Sequence, residues 1–311
     1  MSEFNISRQV PEIPEFTIER DEEQLPQVVQ EPNMSPRKRW MHRIFKVIAA
    51  GVLLVLALLG YRFWAYYYRL GVPVSVSPTE NIEKLQQPAA AESPEVVMTS
   101  DSILGVALDF FAIHGLRANI EMAEPDTADT SVYLYCRSAD HKADGTYLGS
   151  LVINGDEKQS DQSRLGYMAM LGRRSVIGIS RSEKVKDFVQ SNDGSFFRQF
   201  ILVSDGVIPH QFRLHGKVER RAIGRLKEPS GKGDDSTIDR LYYIATRHPE
   251  TLWDFADALR EYGFSDAIYI TGGDDYSFYR THDGMRHDIG SIEDYPHKKW
   301  KGLIPWLVFR K

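Results

Sequence analysis

Two short segments of this chain combine residue types that handle anions. RRAIGRL at 220–226 carries Arg220, Arg221 and Arg225, and a guanidinium fork holds phosphate or carboxylate through paired hydrogen bonds. DAIYITGGDD at 266–275 runs an apolar stretch straight into Thr271, Gly272, Gly273, Asp274 and Asp275. Two glycines after a strand let backbone N–H groups approach an anion closely. Carboxylates beside them can stabilise or attack a developing cation. Arg198, in FFRQF, either points into a cleft or lies on a sheet surface. His282, His287 and His297 lie with Asp283 and Asp288 in THDGMRHDIGSIEDYPHKKWK, but their spacing fits no standard metal pattern, so a solvated polar loop is expected. GKGDDS at 231–236 lacks the full spacing of a phosphate-binding loop. His114 beside Phe110 and Phe111 reads as a partly buried histidine. No metal and no cofactor is expected.

The elements that position these residues are mostly β. SVYLYC (131–136), YLGSLVI (147–153), GYMAML (166–171), SVIGIS (175–180) and FILVS (200–204) have strand length and composition. Asp144-Gly145, Asn154-Gly155, Asp193-Gly194 and Asp205-Gly206 separate them and supply the positive φ of tight hairpin turns, so this half is expected to be an antiparallel meander. SILGVALDFFAIHG (102–115) fits either a short helix or a strand, and SEKVKD (182–187) reads as a charged face. Further on, LYYIAT (241–246) and DAIYI (266–270) read as strands. Between them TLWDFADALREYG (251–263) puts Leu252, Phe255, Ala256, Leu259 and Tyr262 on one helical face, with Thr251 as N-cap and Gly263 as terminator. LIPWLVF (303–309) is a closing strand, at an edge if Pro305 lies within it. The fold class expected is α+β: a largely antiparallel or mixed sheet with a few packed helices, preceded by one transmembrane helix.

The order of these segments from Tyr147 to Asp275 resembles the phosphodiester glycosidase family, which includes the enzyme that uncovers mannose 6-phosphate tags. Arg221, Ala222, Ile223 and Gly224 match an Arg-Thr-Ala-Ile-Gly segment. Ala267, Ile268 and Ile270 match the strand before an Asp-Gly-Gly loop, and Gly272 and Gly273 match its glycines. Asp205 and Gly206 match an earlier turn. The resemblance implies hydrolysis of a sugar phosphodiester or related glycoconjugate, with Arg221 clamping phosphate and Asp205, Gly272 and Gly273 at the substrate; Arg198 is added as a further candidate contact. The sequence departs from the pattern where the carboxylate belongs. Thr271 stands in place of the aspartate, and a threonine takes no nucleophile or acid role without an activating base. Either Asp274 or Asp275 supplies the carboxylate from further along the loop, or the site is catalytically inactive and binds an envelope glycan or a protein partner.

Residues 47–68 (VIAAGVLLVLALLGYRFWAYYY) hold one charge, Arg62. At 1.5 Å per residue they make about 33 Å of helix, against a hydrocarbon core of about 30 Å. Trp64, Tyr66, Tyr67 and Tyr68 form an aromatic belt at one end. Arg37, Lys38, Arg39, Arg43 and Lys46 precede the span and only Arg69 closely follows it, so the positive-inside rule puts the N-terminus in the cytoplasm. The expected layout is an acidic cytoplasmic tail with a basic juxtamembrane segment (1–46), the span (47–68), a flexible linker (69–100) and a periplasmic or extracellular domain (101–311). Residues 1–36 hold eight acidic and two basic residues and are expected to be disordered, with a cytoplasmic protein as a possible partner of this tail. Residues 101–311 hold 28 Lys+Arg against 31 Asp+Glu, a net of −3. That balance argues against nucleic acid and leaves a carbohydrate ligand and the membrane as expected partners. The single cysteine, Cys136, rules out an internal disulfide framework and a cysteine-rich zinc site.

Overall fold

The structure is a computed structural model and describes residues 36–67, 73–89, 91–142, 144–209, 212, 216–229, 237–271, 276–290 and 304–311. Gly272, Gly273, Asp274, Asp275, His297, the GKGDDS segment and the tail before residue 36 lie outside the described residues. Two units separate at Leu59/Gly60. The helix α1 (Pro36–Tyr67) begins in the first. Its segment Arg37–Ala65 is long and apolar enough to cross a membrane, and none of its apolar stretch is buried against protein.

The second unit is α+β, built from three antiparallel sheets and few helices. The strands are β1 (Glu95–Ile103), β2 (Val106–His114), β3 (Arg117–Glu121), β4 (Val132–Arg137), β5 (Leu151–Ile153), β6 (Asp156–Gln159), β7 (Gly166–Leu171) and β8 (Arg174–Ile179). They continue as β9 (Ser195–Gln199), β10 (Ile201–Ser204), β11 (Arg221–Pro229), β12 (Thr237–Thr246), β13 (Asp266–Ile270), β14 (Ser277–Arg280), β15 (Arg286–Ile289) and β16 (Trp306–Arg310). The first sheet has the order β1-β2-β12-β11-β13-β10, the second β15-β14-β4-β16-β3 and the third β6-β5-β9-β7-β8. One face of each meets in a shared core that includes Ile223 and Ile268 from the first sheet, Leu134 and Leu307 from the second, and Leu151 and Met168 from the third.

Helices cover two of the outer faces. On the first sheet lies α4 (Leu252–Tyr262), which buries Leu252, Phe255, Ala256, Ala258 and Leu259 against Ala222, Ile244 and Ala267. Thr251 Oγ1 accepts from the Asp254 N–H, and Gly263 closes the helix at φ 108°, as its sequence led one to expect. On the third sheet lies α3 (Lys184–Gln190), where Val185 and Val189 pack with Tyr167 and Phe196. The segment expected to be a charged face is therefore the start of a helix. Its apolar positions, Val185, Phe188 and Val189, lie three and four apart.

Other expectations divide. Asn154-Gly155 and Asp205-Gly206 both hold positive φ in tight turns. Asp193-Gly194 instead follows α3 and leads into β9. The stretch 102–115 resolves into a hairpin, with β1 and β2 joined by Leu104 and Gly105 at φ 51° and 83°. The closing strand begins after Pro305 and lies between β4 and β3, so it is central and not an edge.

The largest difference concerns the expected flexible linker. Val74 N–H donates to the Ile208 carbonyl at 2.9 Å, and Thr79 N–H to that of Ile179 at 2.7 Å. The Tyr167 hydroxyl lies 2.8 Å from the carbonyls of both Thr79 and Glu80. The short helix α2 (Ile82–Gln86) buries Leu85 in the cluster beneath α3. Arg174 then holds the carbonyls of Gln87 and Pro88, and β1 begins at Glu95. Residues 73–94, where described, form a strap along β8, and the folded unit starts well before Asp101. Pro, Ser and Ala gave the segment a linker's composition, but Val76, Ile82 and Leu85 pack against the sheets.

Candidate functional site

Strands β11 and β13 pair antiparallel with Arg221 opposite Ile270. The start of one and the end of the other therefore bring Arg221 and Thr271 together at one end of the first sheet. Arg221 is 2% exposed. Its Nη2 lies 3.0 Å from Glu219 Oε2, and its Nη1 donates to the Thr246 carbonyl at 3.2 Å. Side chains two apart on an extended chain share a face, which is how Glu219 meets Arg221. Thr271 N–H donates to the Ser138 carbonyl at 3.3 Å, and its Oγ1 lies 3.5 Å from the same oxygen. Ser138 follows β4 and is itself bonded to the Pro305 carbonyl through N–H (3.0 Å) and Oγ (2.9 Å). The site end thus joins the first and second sheets.

Burial pushes the Cys136 thiol on β4 well up, and the nearby Arg221 charge offsets that only in part. Arg221 shares a face of β11 with Ile223, which lies in the shared core, and so projects toward the rim of that core. Arg220 turns the other way. It donates from Nε to the Glu250 carbonyl at 3.0 Å and from Nη2 to that of Gly216 at 3.1 Å, and lies over the Tyr269 ring at 6.0 Å. The chemical groups gathered are a buried guanidinium, a carboxylate about a third exposed (31% at Glu219) and a threonine hydroxyl. Such a set can hold a phosphate and place a negative charge near an electron-poor carbon. Glu219 was missed by sequence reasoning; the signal available was its position two residues before the arginine in VERRAIG.

Two expected site residues lie elsewhere. Asp205 is exposed in the turn after β10, where its N–H approaches Asp266 Oδ1 at 3.5 Å. Asp266 is at the far end of β13 from Ile270, so Asp205 is separated from Arg221 by four residue steps, about 13 Å along the strand. Arg198 is 1% exposed and committed to loop 180–183. It bonds the Ser180 and Ser182 carbonyls and pairs with Glu183 Oε1 at 3.0 Å. Its side chain points to the helix-covered face of the third sheet, beside Phe196, and it anchors that loop.

His282 and His287 belong to the β14–β15 hairpin and its turn, not to an irregular loop; the His287 ring stacks on Tyr279 at 4.7 Å. Among the described residues no group of three metal-ligating side chains forms. His114 is half-buried, and burial together with the Arg240 charge lowers its pKa.

No protein-family model matches the chain, and no curated protein matches it. Among solved structures, the chain is similar to the catalytic domain of zebrafish N-acetylglucosamine-1-phosphodiester alpha-N-acetylglucosaminidase, auto-inhibited by its pro-peptide. The identity is 12% and the TM-score 0.47, over 76% of this chain and 87% of that one. It is also similar to a hypothetical protein from Synechocystis, at 9% identity and TM-score 0.45, over 72% of this chain and 64% of that one. Neither likeness assigns a residue or an activity.

Proposed function

We propose that this chain is a membrane-anchored domain that binds a phosphodiester-linked sugar or related glycoconjugate at the Arg221–Thr271 end of the first sheet and hydrolyses that linkage. The observation that carries the reading is the convergence there of Arg221, Thr271 and the carboxylate of Glu219, 3.0 Å from the guanidinium. Arg221 takes the phosphate oxygens. Glu219, relieved of its partner by the incoming phosphate, turns its charge toward the anomeric carbon. The departing phosphate is a weak base and needs little protonation, so stabilising the sugar cation is the main demand. The basic flank of α1 supports a cytoplasmic N-terminus with the domain on the opposite side.

A second reading is favoured by one observation. Thr271 is uncharged and faces the Ser138 carbonyl, which suits a site that binds the same ligand without cleaving it. The test uses the full chain in detergent with a chromogenic sugar phosphodiester. Turnover abolished by Arg221→Lys, which keeps the charge but loses the fork, and slowed by Glu219→Gln supports hydrolysis. Arg221-dependent binding without turnover supports the second reading. Turnover or binding indifferent to Arg221→Lys, or neither activity at all, overturns both.

A further inference from the structure

The opposite end of β11 and β12 opens on a cleft that the reading above does not use. Its walls are the β2–β3 turn at Gly115 and Leu116, the β7–β8 turn at Arg173, Arg174 and Ser175, the start of β12, Arg225 of β11, and the strap at Ala89 and Glu92. In register, Arg225 stands opposite Leu241 and Leu241 opposite Ile113. Arg221 lies four steps away along β11, so the two places are distinct.

The charges on the wall do not cancel. Arg225 pairs with Asp239 at 2.7 Å, and Arg240 with Glu92 at 3.1 Å and with Glu228 at 2.6 Å. Burial pushes the Glu92 carboxyl up, but the hydrogen bond and charge of Arg240 and the Gly115 N–H outweigh it and hold the group below its usual range. These carboxylates are therefore occupied. Among the described residues Arg174 bonds to carbonyls, those of Gln87 and Pro88, and to no carboxylate. Arg173 is exposed and makes no ion pair or hydrogen bond among the described residues. Behind them lie Ile113, Leu116 and Leu241. Arg240 is shared by two carboxylates, so the four guanidiniums exceed the three carboxylates by one charge. The two guanidiniums without a carboxylate partner among the described residues offer more donors than a carboxylate's two oxygens can use, which suits the three oxygens of a phosphate monoester.

We propose that this cleft binds a small phosphate monoester, with Arg173 and Arg174 on the phosphate and the uncharged body of the ligand on Ile113, Leu116 and Leu241. Because Arg174 also pins the strap at Gln87 and Pro88, an occupied cleft holds the strap down. Gly115 keeps the seam tight: its φ is +56°, and a Cβ there would meet the Glu92 carbonyl oxygen at 2.3 Å.

The test is hydrogen exchange read by peptide on the full chain in detergent, with phenyl phosphate as probe and benzoate as its carboxylate counterpart. Phenyl phosphate is expected to slow exchange in the strap around 85–94 and in the turn around 171–176, saturably, with benzoate far weaker. Arg173→Glu, at an exposed position, is expected to leave the melting temperature unchanged and to weaken the effect about tenfold or more. Arg221→Lys is expected to leave it intact, which separates this cleft from the proposed sugar-phosphodiester site. No protection in the wild type, protection that survives Arg173→Glu, equal protection by benzoate, or protection lost in Arg221→Lys each overturns the proposal.

Discussion

The strap makes a sharp demand on one leucine. Leu85 is 3% exposed and packs, from α2, into the cluster formed by Val152, Tyr167, Ala169, Val176, Val185, Val189 and Phe196. Leu85→Ala removes three buried carbons and leaves a void under a short helix that can settle only in part. Buried Leu→Ala changes cost about 2–5 kcal/mol. A five-residue helix at the edge of a sheet relaxes more readily than a core strand, so about 2–3 kcal/mol is expected here. For a unit of this size, 1 kcal/mol moves the melting temperature by about 2–4 °C, which gives a drop of about 4–12 °C. The assay is thermal and urea unfolding of the second unit, beside a silent control at exposed Val97. If residues 73–94 were a free tether, Leu85 would be solvated and its loss neutral. A change under about 0.5 kcal/mol, the size expected of a surface substitution, would falsify the docked strap.

Three further outcomes follow from other parts of the fold. Leu104 sits at φ 51°, where a branched residue is strained by about 1–2 kcal/mol; Leu104→Asn is expected to raise stability by about 0.5–1 kcal/mol in urea melts, and a loss of stability refutes the strain. The carboxyl of Asp129 is held down to about 2 by the N–H and hydroxyl of Ser131 and by Arg310. Its folded value lies below the usual 3.8, so its contribution is present above pH 3.8 and lost as pH falls toward 2. Asp129→Asn should flatten the stability profile in that window, and an unchanged acid limb counts against the assignment. Cys136 is 1% exposed with its thiol pushed up by burial. Thiol reagents at neutral pH should label it only at the rate of unfolding, and labelling of the native protein within minutes would contradict its placement.

How much of this was legible beforehand varied with the physics of each element. The helix α4 was readable end to end because its cap, apolar face and terminating glycine are all local. In the third sheet β5, β7 and β8 were readable from their length and composition, and Asn154-Gly155 marked the turn after β5. What escaped depends on partners far along the chain. Leu85 finds its pocket in residues between Val152 and Phe196, and β16 takes its central place from β3 and β4; neither shows in a window of ten residues. At the candidate site, Arg221 and Thr271 were placed by motif, and their meeting rests on the β11–β13 register. Arg198 looked available because FFRQF does not reveal that Glu183 and two carbonyls consume its guanidinium. Asp205 was credited by order along the chain, while the register puts it at the wrong end of β13. Glu219 needed only the two-residue period of a strand, yet the sequence before Arg221 carries no strand signature to suggest it.

The central position of β16 has a consequence in time. β3 and β4 pair with it, and Glu121 waits for Trp306, its partner 185 positions later. At synthesis rates of about 5–20 residues per second, that is about 10–40 s during which both strands lack the neighbour they share. The second sheet cannot zip as it emerges. The growing chain carries the apolar faces of Ile120 and Leu134 unfinished until residues 306–310 arrive, and holding such edges apart is work for a chaperone.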